Sequence, residues 1–312
     1  MNKAEDRQVI DGILLVNKPQ GLTSNAVLQQ VKRLFNAKKA GHTGSLDPLA
    51  TGMLPICFGE ATKFCQYLLD ADKCYETTGH LGIKTNTGDA MGEVIAEVSN
   101  FVVSKNELEQ ALEQFRGTIE QVPSMFSALK HQGTPLYKFA RAGIEIERKA
   151  REVIIHQLQL QSFDGRDFAL TVRCSKGTYI RNLVEDIGEK LGTGAHVTKL
   201  HRNYTAGLMD EPMYTIDELS GKSAAQKLQC LLPMERAVSY LPKIVLSSDA
   251  VYALRQGKVL ADMTSDYISG CVRLYENESV MQFIGLGEMQ APGVLKVKRL
   301  LSEGVDATNC TE

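Results

Sequence analysis

GHTGSLDPLATGMLPICFGEATKF, residues 41–64, is the stretch from which the rest of the chain can be read. Asp47 precedes Pro48, which disfavours a helical backbone at the aspartate. Gly44 and Gly52 allow tight turns on either side. The acid is therefore displayed on a loop, where reactive side chains often sit. Asp and Pro are also ordinary turn residues, so the string alone describes only a well-placed carboxylate in a glycine-rich turn.

Upstream, GILLVNKPQG (12–21) reads as a buried strand ending in a Lys-Pro turn. Thr23 or Ser24 can cap a following helix, on which Val27, Leu28, Val31, Leu34 and Phe35 recur at helical spacing. No Asp or Glu lies between Asp11 and Asp47, while Lys18, Lys32, Arg33, Lys38, Lys39 and His42 do. A second basic stretch holds Lys130, His131, Lys138, Arg141, Arg148, Lys149 and Arg151, diluted by Glu145 and Glu147. Such local positive fields, on a chain of net charge −2, suit a phosphate backbone.

Downstream, 75–84 and 93–99 read as strands. Residues 104–117 read as a helix with a Ser104/Glu107 capping box and a Gly117 stop. Residues 124–152 form an irregular basic excursion. VIIHQLQLQSF and DFALTVRCS alternate as strands do, and KGTYIRNLVEDIGEKLG opens a helix with Ile180, Leu183, Val184, Ile187 and Leu191 inward. Residues 219–242 read as helix and then a proline-marked linker, and 243–301 as a small β-rich appendage.

Composition excludes several classes. The 312 residues, 43% hydrophobic and 23% charged, suit one large or two moderate domains. No apolar run approaches the roughly 20 residues of a membrane helix, and the N-terminal stretch lacks a secretory pattern, so a cytoplasmic location is expected. Seven cysteines without a Cys-x-x-Cys pair read as reduced thiols, with no metal site. No Gly-x-x-x-x-Gly-Lys-Ser/Thr loop is present.

Six ordered segments then identify a relationship: ILLVNKPQGLTS (13–24), the 41–64 stretch, KCYETTGHLGIKTNTGDAMGE (73–93), QVPSMFSALKHQGTPLYKFARAG (121–143), CSKGTYIRNLVEDIGEKLG (174–192) and AHVTKLHRNYTAG (195–207). In that order they resemble the bacterial tRNA pseudouridine synthase B family. FIGLGE (283–288) is similar to that family's small RNA-binding appendage, a PUA-like domain. The resemblance implies an α+β fold. A catalytic domain over 1–240 carries a mixed, largely antiparallel sheet and a thumb insertion at about 124–152. A β-rich PUA-like domain follows over 241–312.

It also implies an isomerase that turns uridine 55 of the tRNA T-loop into pseudouridine without a cofactor. The partner is the T-arm stem-loop; no membrane, protein partner or guide RNA is needed, and a monomer is expected. The carried-over residues are Asp47 as nucleophile, Arg181 as its cationic partner, and Tyr75 as stacking residue and proton acceptor. Tyr179 and Leu200 line the pocket, His42 helps flip the base, and Lys18 lies near the site. Lys130, Lys138, Arg141, Arg148, Lys149 and Arg151 belong to the RNA-binding thumb, beside Phe126, Tyr137 and Phe139. This mixture of cations and rings suits RNA.

Two other readings compete. A non-catalytic RNA-binding or tRNA-folding module on the same scaffold predicts that Asp47→Asn changes nothing. A glycosidase needs a second carboxylate across the bond; near Asp47 in the chain the closest is Glu60, which reads as part of a strand-to-helix turn.

Overall fold

The computed structural model describes residues 7–261, 269–277, 281–291 and 293–302; Cys310 and parts of the expected appendage lie outside them. The chain enters through β1 (Gly12–Lys18), whose apolar run is almost wholly buried. The helix α1 (Ser24–Leu34) follows, capped by the Thr23 hydroxyl on the Ala26 N–H. Next come β2 (Ala40–His42) and β3 (Thr51–Phe58), with the 41–52 loop between their paired ends. A 3₁₀ helix, Gly59–Phe64, leads into α2 (Cys65–Asp70).

The middle of the chain supplies β4 (Lys73–Leu81), β5 (Ile83–Thr85), β6 (Val94–Glu97), α3 (Lys105–Glu113) and β7 (Gly117–Gln121). The strand expected at 75–84 is broken at Gly82, whose φ of +91° turns the backbone. The helix expected at 104–117 keeps its capping box but ends at Glu113. Gly117, at φ +80°, opens β7 instead of stopping the helix. The excursion is a two-stranded hairpin, β8 (Lys130–His131) and β9 (Thr134–Pro135), and one short helix, α4 (Leu136–Arg141). The chain rejoins the sheet at β10 (Arg151–Phe163), pairs with β11 (Asp167–Cys174), and passes through α5 (Ile180–Lys190) into β12 (Ala195–Thr205).

The main sheet runs β1-β3-β12-β4-β11-β10-β7, with β2 on β3, for eight strands. All its pairings are antiparallel except β12 with β3, which is parallel at His201↔Thr51 and Arg202↔Gly52. The mixed, largely antiparallel α+β expectation therefore stands. One face carries the main core, where Leu14, Val16, Leu54, Ile56, Tyr75, Leu170, Val172 and Leu200 meet Ile180, Leu183, Val184 and Ile187 of α5. Alternation along strands places every second residue on that face.

Residues 219–242 are not one helix. They hold the end of α6 (Ile216–Ser220), then α7 (Ala224–Leu228) and a 3₁₀ turn at Met234–Val238. Gly221 and Pro233 interrupt the apolar pattern. Beyond them β13 (Lys243–Leu246), β14 (Gly270–Asn277), β15 (Met281–Ala291) and β16 (Val294–Leu300) form a separate four-stranded sheet, with α8 (Ser248–Arg255) between the first two in the chain. It has its own core around Val272, Leu274 and Leu295. A further apolar cluster, including Phe64, Tyr275, Phe283 and Leu286, joins it to Ile13 and Leu15 on the other face of β1. Among the described residues no helix is long and apolar enough to cross a membrane.

Candidate active site

The 41–52 loop is held by the segment that precedes it. The Ser24 hydroxyl accepts from the Leu46 N–H at 2.7 Å and donates to the Leu46 carbonyl at 3.1 Å. The Gly21 N–H donates to the Pro48 carbonyl at 2.7 Å, and the Ala50 N–H closes a turn on the Asp47 carbonyl at 3.1 Å. Lys18 is fully buried; its Nζ donates to the carbonyls of Ala50 (2.6 Å), Pro19 (2.9 Å) and Pro48 (3.4 Å). The VNKPQGLTS stretch thus builds the pedestal under Asp47. Gly44 and Gly52, at φ +91° and +96°, supply the backbone that other residues resist.

Asp47 is gripped from α5. Arg181 Nε donates to Asp47 Oδ2 at 2.8 Å, and Nη2 donates to Oδ1 at 3.2 Å. Planar two-point pairing is the strong form of this bond. The guanidinium also donates to the Thr87 carbonyl through Nη1 and to the Phe126 carbonyl through Nη2 at 2.9 Å. Only 4% of the Arg181 side chain is exposed, against 36% for Asp47, so the carboxylate looks outward from a buried cation. Burial pushes the Asp47 carboxyl above the usual carboxylate range; Arg181 opposes this, Asp89 adds to it and Lys18 opposes it more weakly.

Two tyrosines stand nearby. Tyr75, buried on β4, lies opposite Arg202 of β12 and shares the main core with Leu200. Burial pushes its phenol up, while the adjacent Arg202 guanidinium pulls it down. Tyr179 is the residue before α5; its N–H donates to Gln121 Oε1 at 3.0 Å, and Gln121 Nε2 donates back to its carbonyl at 3.2 Å. His42 lies on β2, with a buried Nδ1 that has no hydrogen-bond partner. Burial and then Arg202 hold its pKa below the ordinary histidine value, favouring the neutral ring.

The thumb cations differ in kind. Lys130, Lys138, Arg141, Lys149 and Arg151 are exposed. Arg148 is half-buried, donating to the Pro123 carbonyl at 3.4 Å and to Glu145 at 3.2 Å. Arg141 stacks over the Tyr137 ring, 5.5 Å from its centroid, and Phe139 meets His131 edge-on. Glu60 is turned to Lys63 and the Ser302 N–H, at the junction with the second sheet, and belongs to no carboxylate pair with Asp47. Asp89, which sequence reasoning passed over, is the second carboxylate whose charge reaches Asp47. Its Oδ1 accepts from the Thr87 hydroxyl at 2.8 Å and the Met91 N–H at 3.0 Å.

Sequence reasoning also missed Arg202, the bulkiest of the fully buried side chains. Its one signal was parity: it stands two residues from Leu200 on a strand and so shares the inward face. The carbonyls of Thr87 and Phe126 left no signal, since a backbone acceptor has no residue type. No group of three or more His, Cys, Asp or Glu that could hold a metal occurs among the described residues.

An aspartate with an open edge, a fixed cation behind it and aromatic rings at its side can, once ionised, attack an electrophilic carbon and be released again. Comparison with known proteins places the chain in a family. Residues 32–180 match the N-terminal domain of the TruB family pseudouridylate synthases. Residues 181–239 match the tRNA pseudouridylate synthase B C-terminal domain, and 242–301 the pseudouridine synthase II TruB C-terminal region. The chain is 61% identical over 302 residues to tRNA pseudouridine synthase B of Legionella pneumophila subsp. pneumophila, covering 97% of this chain and 99% of that one. It is 49% identical to tRNA pseudouridine synthase B of Tolumonas auensis, covering 97% and 96%. Among solved structures, a chain of a Cbf5–Nop10–Gar1 complex superposes with a TM-score of 0.70 at 27% identity, covering 95% of this chain and 88% of that chain. On these matches, the chain belongs to the TruB family of pseudouridylate synthases and is an isomerase.

Proposed function

We propose that the chain converts uridine 55 in the T-loop of tRNA to pseudouridine, with Asp47 as nucleophile. The reaction breaks the N1–C1′ bond, turns the uracil over and joins C5 to C1′, so it needs neither redox chemistry nor a donor group. The observation that carries the reading is the two-point Asp47–Arg181 pair, whose carboxylate keeps an open edge toward solvent. The names of the curated relatives point to tRNA as the RNA class.

The remaining roles are those the family resemblance implies. Tyr75 stacks on the uracil and takes the C5 proton, with Tyr179 and Leu200 along the walls. His42, neutral and lacking a partner for Nδ1, fills the space that the extruded base leaves. Extrusion costs a few kcal/mol. That cost is offset by the T-arm gripped between the 124–152 thumb and the body, with residues 241–312 as an RNA-binding appendage to a catalytic unit spanning 1–240. The enzyme acts in the cytoplasm as a monomer, without guide RNA or protein partner.

The test uses the purified chain alone and tRNA transcripts with tritium on C5 of uridine 55 only, or of every other uridine only. Release from the first and not the second is expected. Release from other positions, or from neither, would overturn the assignment.

A further inference from the structure

Arg202 is a buried cation beside the reacting groups, with no part in the chemistry described above. Only 2% of it is exposed, its Nε donates to the Met53 carbonyl at 2.7 Å, and its buried Nη2 has no hydrogen-bond partner. It makes no ion pair with a described carboxylate, unlike Arg181. Burying an unpaired guanidinium costs several kcal/mol. The fold nevertheless fixes it firmly. A Cβ on Gly52 would fall 2.3 Å from the Arg202 carbonyl oxygen, so the two backbones touch where β3 and β12 run parallel.

What Arg202 faces is the Tyr75 hydroxyl, directly across β12 and β4. A guanidinium donates and cannot accept. Any hydrogen bond between the two therefore runs from Arg202 to the phenol oxygen, which leaves the phenol's own O–H to point elsewhere. Burial raises the Tyr75 phenol, and the fixed Arg202 cation works against it by favouring the phenolate. Two further buried cations, Lys18 and Lys73, feel the Arg202 charge, so the surroundings are electropositive. The other titratable groups that act on Tyr75 are Asp47 and Cys174, and burial pushes the Cys174 thiol up to about 12, which keeps it neutral.

We propose that Arg202 is a positioning residue for proton transfer, holding the Tyr75 oxygen in place and stabilising its phenolate for removal of the C5 proton. This rests on the reading of Tyr75 as the proton acceptor. Tyr75 first passes its phenol proton to water; once C5 is bonded to C1′, the phenolate oxygen takes the C5 proton, and the C5–H electron pair restores the C5=C6 double bond. The water that took the phenol proton then protonates N1, as the electron pair of the N1=C6 bond returns to N1. The sum moves one proton from C5 to N1 and leaves Tyr75 as it began.

The full chain carrying Arg202→Lys or Arg202→Gln is compared with the wild type on transcripts with hydrogen or deuterium at C5 of the target uridine. Single-turnover rate, tRNA affinity and isotope effect are read, with Tyr75→Phe as control. Arg202→Gln is expected to be roughly 100-fold slower and Arg202→Lys about tenfold slower, both binding tRNA within about twofold of wild type. In both, the isotope effect rises, because proton removal becomes limiting; a purely structural role would not move it. A slower rate with an unchanged isotope effect, a loss confined to tRNA binding, or failure of even Arg202→Lys to fold would overturn the proposal. Wild-type rate and isotope effect in Tyr75→Phe would instead refute the Tyr75 reading and take the Arg202 role with it. Loss in Tyr75→Phe with no change in the Arg202 variants would refute the Arg202 role alone.

Discussion

At the scale of single residues, the site works by opposing burial with fixed charge. Burial raises the Asp47 carboxyl and Arg181 lowers it. Removing the cation in Arg181→Met should therefore shift the carboxyl further up, and the acid limb of the rate profile should move to higher pH. The rate at neutral pH should fall about 100-fold or more; single-turnover rates between pH 5 and 8 check both. Lys18 tests the pedestal. Burial lowers its ammonium from 10.5 to about 8. The unfolded chain then holds this proton more tightly, so between about pH 8 and 10.5 the folded state gains stability from Lys18 as pH rises. Activity should run the other way, because the neutral amine has two donors for three loop carbonyls. Urea midpoints and rates of wild type and Lys18→Met at pH 7 and 9 should show wild-type stability rising relative to the variant while wild-type activity falls. Asp47 and Arg181 were legible because their neighbours form long, ordered strings. Arg202 and Asp89 were not, because what matters about them is burial and who faces them, which only the folded chain decides.

At the scale of elements, the decisive joint is the short parallel contact of β3 and β12, where Gly52 meets Arg202. Gly52→Ala would place a methyl 2.3 Å from a carbonyl oxygen at a φ of +96°. It should cost several kcal/mol in urea unfolding, more than the roughly 1 kcal/mol of an ordinary helix-interior exchange. Strands with alternating patterns and the capping box at Ser104 could be read from local sequence. The end of α3 and the division of 219–242 could not, because helix-compatible sequence runs on past Glu113, and in 219–242 past Gly221 and Pro233. The parallel β3–β12 pairing had no local signature either, since it joins residues about 150 positions apart.

At the scale of the whole molecule, the proposed function has thumb and appendage turn the Asp47 site into a reader of folded RNA. Neutralising the exposed thumb cations Lys130, Lys138, Arg141, Lys149 and Arg151 should weaken tRNA binding and flatten its dependence on log salt, by about 0.9 for each phosphate left without its cation. Urea stability should barely change, since these side chains are exposed. Filter binding between about 50 and 300 mM salt would show it, and an unchanged slope would take the RNA away from the thumb. The eight-stranded order was beyond the sequence because it depends on pairings far apart in the chain, whereas the basic excursion was visible as charge. On the proposed function all of these parts serve one carboxylate. The most direct measurement is single-turnover tritium release from C5 of uridine 55 by Asp47→Asn, which keeps the shape of the side chain and removes its charge. No detectable release, with tRNA affinity close to wild type, is the predicted result. Release at the wild-type rate would contradict Asp47 as the nucleophile.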